Sequence, residues 1–87
     1  MVHEIDSQNV DQVIASEPMC IITFGADWCI DCRRAKPFYA KFSEEFKDVY
    51  FTHCDVGDRE GQLRQTLKEK YQFGHIPTMI FFKGGKE

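Results

Sequence analysis

Residues 28–33 read Trp-Cys-Ile-Asp-Cys-Arg. Two cysteines, Cys29 and Cys32, stand three positions apart beside the chain's single tryptophan. Such a pair can be a redox couple, half of a metal site, or two packed thiols, and the flanks decide between them. Upstream, Met19-Cys20-Ile21-Ile22-Thr23-Phe24 is a nearly unbroken apolar run rich in β-branched residues. That pattern suits a central strand buried on both faces. Downstream, Ala35, Phe38, Tyr39, Phe42 and Phe46 fall on one helical stripe, interrupted by Pro37. An interior proline removes one amide donor and crowds the preceding turn, so one kinked helix is predicted. The pair therefore lies at a strand-to-helix junction. There the first amides of the helix lack partners and the macrodipole adds to them, and both favour a thiolate at Cys29. The thiolate is the nucleophile in disulfide exchange. Cys32, one turn further in, is placed to attack the mixed disulfide that results.

The remaining elements alternate in the same way. Val2–Ile5 reads as a short strand. Ser7–Ser16 reads as a helix, with Val10, Val13 and Ile14 at helical spacing and Ser7 as its cap. Residues 49–54 (Val-Tyr-Phe-Thr-His-Cys) form a strand, and Asp55–Asp58 a turn. Leu63, Leu67 and Tyr71 mark a third helix. Thr78–Phe82 is the last strand, and Lys83-Gly84-Gly85-Lys86 has the glycine pair of a tight hairpin turn. The order β-α-β-α-β-α-β implies an α/β fold, with parallel neighbours in the sheet and helices on both faces.

The whole chain narrows the choices further. Its 87 residues make one domain, 1–87. A net charge of −3 argues against nucleic acid as a partner, because a basic face normally supplies that affinity. The N-terminus has no signal-peptide pattern, and no apolar run approaches membrane-spanning length. The expected compartment is the cytoplasm, where a close cysteine pair is catalytic or metal-binding more often than a structural staple. Cys20 and Cys54 lie inside apolar runs and read as buried small hydrophobes. The hairpin turn leads only to Lys86 and Glu87, which would leave a Phe-rich strand at an open edge. The chain is therefore expected to lack a C-terminal strand and helix, and to be a monomer unless that edge associates.

With these residues in place the chain resembles the thioredoxin family over essentially its whole length. The resemblance rests on residues 24–32 (Phe-Gly-Ala-Asp-Trp-Cys-Ile-Asp-Cys), Pro37, Ile76-Pro77-Thr78, and the closing Phe81-Phe82-Lys83-Gly84-Gly85. It implies a thioredoxin fold, here a mixed sheet of four strands with three helices. It implies that Cys29 attacks and Cys32 resolves, in reduction of protein disulfides by dithiol exchange. Trp28 would line the active surface, Pro77 would be the family's cis-proline, and Ile76 would pair with an extended substrate. No metal or organic cofactor is implied in the domain, and a separate thioredoxin reductase-like flavoprotein would recycle it.

The departures from the family are specific. Thioredoxin itself has glycine and proline between the cysteines, where this chain has Ile30 and Asp31. The family's buried aspartate falls at Thr23 and its buried lysine at Phe51. Asp31 is a candidate substitute for the missing proton relay. A carboxylate about 4 Å from a thiolate would also repel it by roughly 1–4 kcal/mol. The helix terminus offsets this by about 0.3–1 kcal/mol, up to ~2 when buried, and Arg33 and Arg34 push the same way. The reading is of a reducing protein with a moderately favoured thiolate. His75, just before Ile76-Pro77, is a candidate tuning residue near neutral pH.

Two rivals are set against this reading. Zinc would need His53 and Cys54 beside the pair, yet adjacent strand residues point to opposite faces. A redox-inactive module that keeps the fold without turnover is the main alternative. A glutaredoxin-like site usually carries Pro-Tyr between its cysteines, and Trp28 fits thioredoxin better. His3 and His53 read as ordinary surface or strand-edge residues. The run from Arg64 to Lys70 reads as a solvated helix face, with a Glu60–Arg64 pair.

Overall fold

Strand and helix alternate from end to end in the computed structural model, which describes residues 1–87. The elements are β1 (Val2–Ile5), α1 (Val10–Ser16), β2 (Met19–Gly25), α2 (Ile30–Glu45), β3 (Tyr50–Asp55), α3 (Gln62–Tyr71) and β4 (Thr78–Lys83). The spatial order of strands is β1-β3-β2-β4. β3 runs parallel to both β1 and β2, and β4 runs antiparallel to β2. The apolar run read as a central strand is thus an inner strand of a mixed sheet.

One face of the sheet carries the main core. Cys20, Ile22 and Phe24 of β2, Cys54 of β3, and Ile80 and Phe82 of β4 are buried there against Val10 and Leu67. Phe24 stacks on Phe73 at 4.7 Å and on Tyr71 at 5.3 Å. Asp11 of α1 accepts hydrogen bonds from Lys70 and Tyr71 of α3, tying the two helices on this face together. Both bonds hold the Asp11 carboxyl below the usual carboxylate range.

The other face meets α2 and is more polar. Tyr39 is buried against Phe51, with ring centres 5.2 Å apart. Its hydroxyl donates to the carbonyls of Thr52 and Ile21, at 2.8 and 3.2 Å. On β4, Met79 and Phe81 stand about half exposed.

Three sequence expectations are corrected. α1 starts at Val10 after Asn9, and Ser7 does not cap it. Instead Asp6 Oδ1 accepts the Gln8 amide at 2.9 Å, and this local turn delays the helix. α2 is a single helix through Pro37, but only part of its apolar stripe, Tyr39 above all, faces the sheet. Tyr39 and Ser43 are buried, while Phe38, Phe42 and Phe46 are exposed. Arg64 does not pair with Glu60; its Nη1 donates to the Arg59 carbonyl at 3.0 Å. The hairpin turn is as expected, with Gly84 and Gly85 at φ 61° and 82° and Lys83 and Lys86 bonded across it.

The two faces predict unequal mutational costs. Phe24→Ala empties a fully buried aromatic site and is expected to lower stability by about 3–5 kcal/mol. Tyr39→Phe removes only hydrogen bonds and is expected to cost about 1 kcal/mol. Urea denaturation of both variants checks this, and equal losses would contradict the packing described.

Candidate active site

β2 ends at Gly25, and a short turn carries the chain to Cys29, the residue just outside α2. Cys29 has an extended backbone, with φ −94° and ψ 112°. Its Sγ accepts the Cys32 amide hydrogen at 3.2 Å. A sulfur thus takes the place of the oxygen that usually caps a helix. The Ile76 carbonyl lies 3.8 Å from the same sulfur, and the Ile76–Pro77 peptide is cis. Cys29, Cys32, Ile76 and Pro77 are therefore gathered at one end of the sheet, although more than forty positions of sequence separate the two pairs.

Trp28 is half-buried against the edge of the core. Its Nε1 donates to the Gly57 carbonyl at 2.8 Å. Gly57 has φ 77°, a conformation that suits glycine, and its amide donates to Asp55 Oδ2 at 2.9 Å. The guanidinium groups of Arg59 and Arg64 lie over the indole, 4.9 and 5.5 Å from its centre. Both arginines come from outside the motif, and Arg64 packs here instead of pairing with Glu60.

Cys32 faces inward, to a cleft of about 440 Å³ between α2 and the sheet. Thr23, Gly25, His53, Pro77 and Met79 share that cleft. Burial pushes the Cys32 thiol up to about 11, helped by its hydrogen bond to Cys29 and by the charges of Cys29 and Asp31, against a backbone bond from Ala26. One helical turn thus separates two unlike thiols. Cys29 is held at the helix mouth, and Cys32 is drawn into a cleft that disfavours its anion.

The remaining expected residues are dispersed around the pair. Thr23 is only 6% exposed, and its hydroxyl has no hydrogen-bond partner. The Asp31 side chain is 76% exposed, 4.0 Å from Arg34 Nη1, and acts on Cys32 through charge. His75 is exposed, and its carbonyl accepts from the Thr78 hydroxyl. Cys54 is buried in the core, with its thiol pushed up to about 12 by burial, and Cys20 is shifted the same way. His53 turns to the opposite face, with Nδ1 2.9 Å from Glu4 Oε2. No group of three or more His, Cys, Asp or Glu side chains is gathered as metal ligands.

Sequence reading passed over two members of the cleft. A Cβ added to Gly25 would stand 3.1 Å from His53 Nε2 and 3.3 Å from Cys32 Sγ. Gly25 is thus needed where strand, helix and imidazole converge. The available signal was period-two alternation: Glu4, Thr23 and His53 occupy adjacent register positions on three strands.

A mixed α/β sheet with a cysteine pair at the start of its second helix defines the class of thiol–disulfide oxidoreductases. A family model described as "Thioredoxin" matches residues 1–87. The chain is 35% identical to thioredoxin-1 of Saccharomyces cerevisiae over 77 residues, covering 88% of this chain and 70% of that protein. It is 32% identical to the thioredoxin of Callithrix jacchus, covering all of this chain and 81% of that one. Among solved structures, a thioredoxin of Plasmodium falciparum superposes with a TM-score of 0.82 at 27% identity, over 98% of this chain and 79% of that one. The thioredoxin of Trypanosoma brucei brucei superposes with a TM-score of 0.83 over 99% of this chain and 73% of that one; its 21% identity speaks for the fold alone. The chain belongs to the thioredoxin family. It is a thiol–disulfide oxidoreductase that acts as a protein-disulfide reductase, and the redox-inactive alternative is not favoured.

The causes of the Cys32 shift give a directional test. Cys29→Ser is expected to bring the Cys32 thiol down from about 11 toward its ordinary value, because Cys29 pushes it up by both hydrogen bond and charge. Asp31→Asn moves it the same way by less. Alkylation rates of Cys32 against pH, read by peptide mass mapping, measure both. A rise in either variant would contradict the electrostatics described.

Proposed function

We propose that Cys29 is the attacking sulfur of this reductase and Cys32 the resolving one. The Cys29 thiolate attacks one sulfur of a protein disulfide, and the other sulfur leaves with the electron pair and takes up a proton. A mixed disulfide then links Cys29 to the substrate. Cys32 loses its proton and attacks Cys29 Sγ, which releases the second substrate thiol and leaves Cys29 and Cys32 as a disulfide. The observation that carries this reading is the Cys29 sulfur itself, capping α2 at 3.2 Å from the Cys32 amide. Donors at a helix N-terminus favour an anion there.

Trp28, Ile76 and Pro77 form the walls of a shallow groove for an extended substrate segment. The nearness of the Ile76 carbonyl to Cys29 Sγ, 3.8 Å, supports this. An extended peptide along residue 76 would bring its own sulfur onto Cys29. Asp31 tunes the pair through charge, Thr23 through a free hydroxyl behind it, and His75 from the loop before Ile76. No organic cofactor is needed in the domain. Its disulfide is reduced again by a flavoprotein resembling thioredoxin reductase. No helix is long and apolar enough to cross a membrane. The cytoplasm is the proposed location, with a monomer as the working form.

Reduction of insulin disulfides by dithiothreitol-supplied protein tests the assignment. Cys29→Ser is expected to abolish turnover. Cys32→Ser is expected to stop after one attack and to accumulate a mixed disulfide at Cys29, seen as added mass. Full activity in either variant, or trapping at Cys54, would refute the assigned roles.

A further inference from the structure

His53 lies on β3, on the sheet face that meets α2. The parallel register sets it between Glu4 of β1 and Thr23 of β2. The ring is mostly covered, with 27% of the side chain exposed. Its Nδ1 lies 2.9 Å from Glu4 Oε2. An ionised carboxylate only accepts, so in the neutral ring Nδ1 carries the hydrogen and Nε2 keeps its lone pair. Nε2 points the other way, toward Gly25. The missing glycine side chain leaves a gap bordered by both Nε2 and Cys32 Sγ, 3.1 and 3.3 Å from the point a Cβ would fill. The unpartnered Thr23 hydroxyl belongs to the same cleft. The cleft's lining is mostly apolar, but beside Gly25 it presents the imidazole nitrogen and the thiol, and it is roomy enough for one water to reach both.

We propose that His53 accepts the proton of Cys32 in the resolving step, with Glu4 as the positioning residue that sets the imidazole tautomer. This rests on the roles of Cys29 and Cys32 proposed above. The proton moves from Cys32 Sγ to His53 Nε2, directly or through one water. The Cys32 sulfur then bonds to Cys29 Sγ, the Cys29–substrate bond breaks, and its electron pair leaves on the substrate sulfur. That sulfur takes a proton from solvent, and the imidazolium returns its own to solvent. The substrate disulfide is the oxidant, so the step needs no further reagent.

The chemistry calls for such a group. A thiol that titrates at about 11 is almost wholly protonated at neutral pH, so it needs a base to become a nucleophile. The other charged groups around the cleft fit less well. Arg33 and Lys36 of α2 are cations. Asp55 of β3 is turned to the Gly57 amide. Asp27 is exposed on the loop, and Asp31 faces Arg34 in solvent. The His53 ring alone holds a free lone pair against Gly25.

Single-turnover reduction of a disulfide peptide whose two thiols are distinguishable separates attack from resolution. His53→Ala is expected to slow release of the second thiol about tenfold or more at neutral pH, beyond any effect on the first. The deficit closes as pH rises toward about 11, where Cys32 ionises unaided. Added imidazole restores the rate. Glu4→Gln gives a smaller loss with the same pH dependence. His53→Asn keeps a polar group in the gap and stands in if His53→Ala does not fold. An unchanged second step, or an equal loss at every pH without imidazole rescue, overturns the proposal. Cys32→Ser separates the two readings. If it traps substrate on Cys29 while the His53 variants are silent, only this inference fails. If it traps nothing, the roles of the cysteines fail, and the inference falls with them.

Discussion

The site depends on one hydrogen bond, from the Cys32 amide to the Cys29 sulfur at 3.2 Å. A helix needs its first amides satisfied, and side-chain oxygens usually supply the acceptor. Here the sulfur that caps the helix is the one proposed to react. The cap therefore fixes the position of the sulfur, at a helix end whose donors in general favour an anion. Once Cys29 is held there, the 3.6-residue period places Cys32 one turn deeper. At that depth burial sets the behaviour of the thiol. Two identical side chains become chemically unlike because one sits before the first turn and the other within it.

The sheet makes this geometry available. β2 is an inner strand, so its C-terminal end points the chain into α2 with little freedom. The α1–α3 face is packed with apolar side chains. The α2 face instead places Thr23, His53 and Glu4 at adjacent register positions, from buried Thr23 out to exposed Glu4. Division of labour between the faces lets one secure the fold while the other carries polar groups next to the pair. Tyr39 shows how the helix is held over a polar surface. Its ring packs on Phe51, and its hydroxyl bonds to strand carbonyls.

Much of this was legible in the residues. The apolar run Met19–Phe24, the change of period after Cys29 and the glycine pair at 84–85 each report local physics, and the strand, helix and turn they mark formed where they were read. The failures came where local pattern leaves a choice open. Of the stripe Ala35, Phe38, Tyr39, Phe42 and Phe46, Tyr39 turns inward together with Ser43, while Phe38, Phe42 and Phe46 are exposed. Periodicity gives the angle of a stripe but not which stripe meets the sheet. Ser7 was a plausible cap, but Asp6 forms a local turn there instead, its side chain accepting the Gln8 amide and its carbonyl the Asn9 amide. Arg64 could pair with Glu60 in an isolated helix, but Trp28 offers a flat face that only the tertiary fold brings near. His53 looked ordinary because a strand residue's neighbours depend on strand order, and strand order is a property of the whole chain.

The substitution at Thr23 has an electrostatic meaning beyond the loss of a carboxylate. A buried anion behind the pair would oppose the Cys29 thiolate as well as accept the Cys32 proton, and low dielectric strengthens both effects. An imidazole base separates them. It adds no anion beside Cys29, and it gains positive charge when it takes the proton. The new cation then sits between Glu4, which it already contacts at 2.9 Å, and the cleft where the Cys32 thiolate forms. Charge thus appears beside its compensation on both sides. A hydroxyl at position 23 is compatible with this arrangement because it fills the buried site without adding charge.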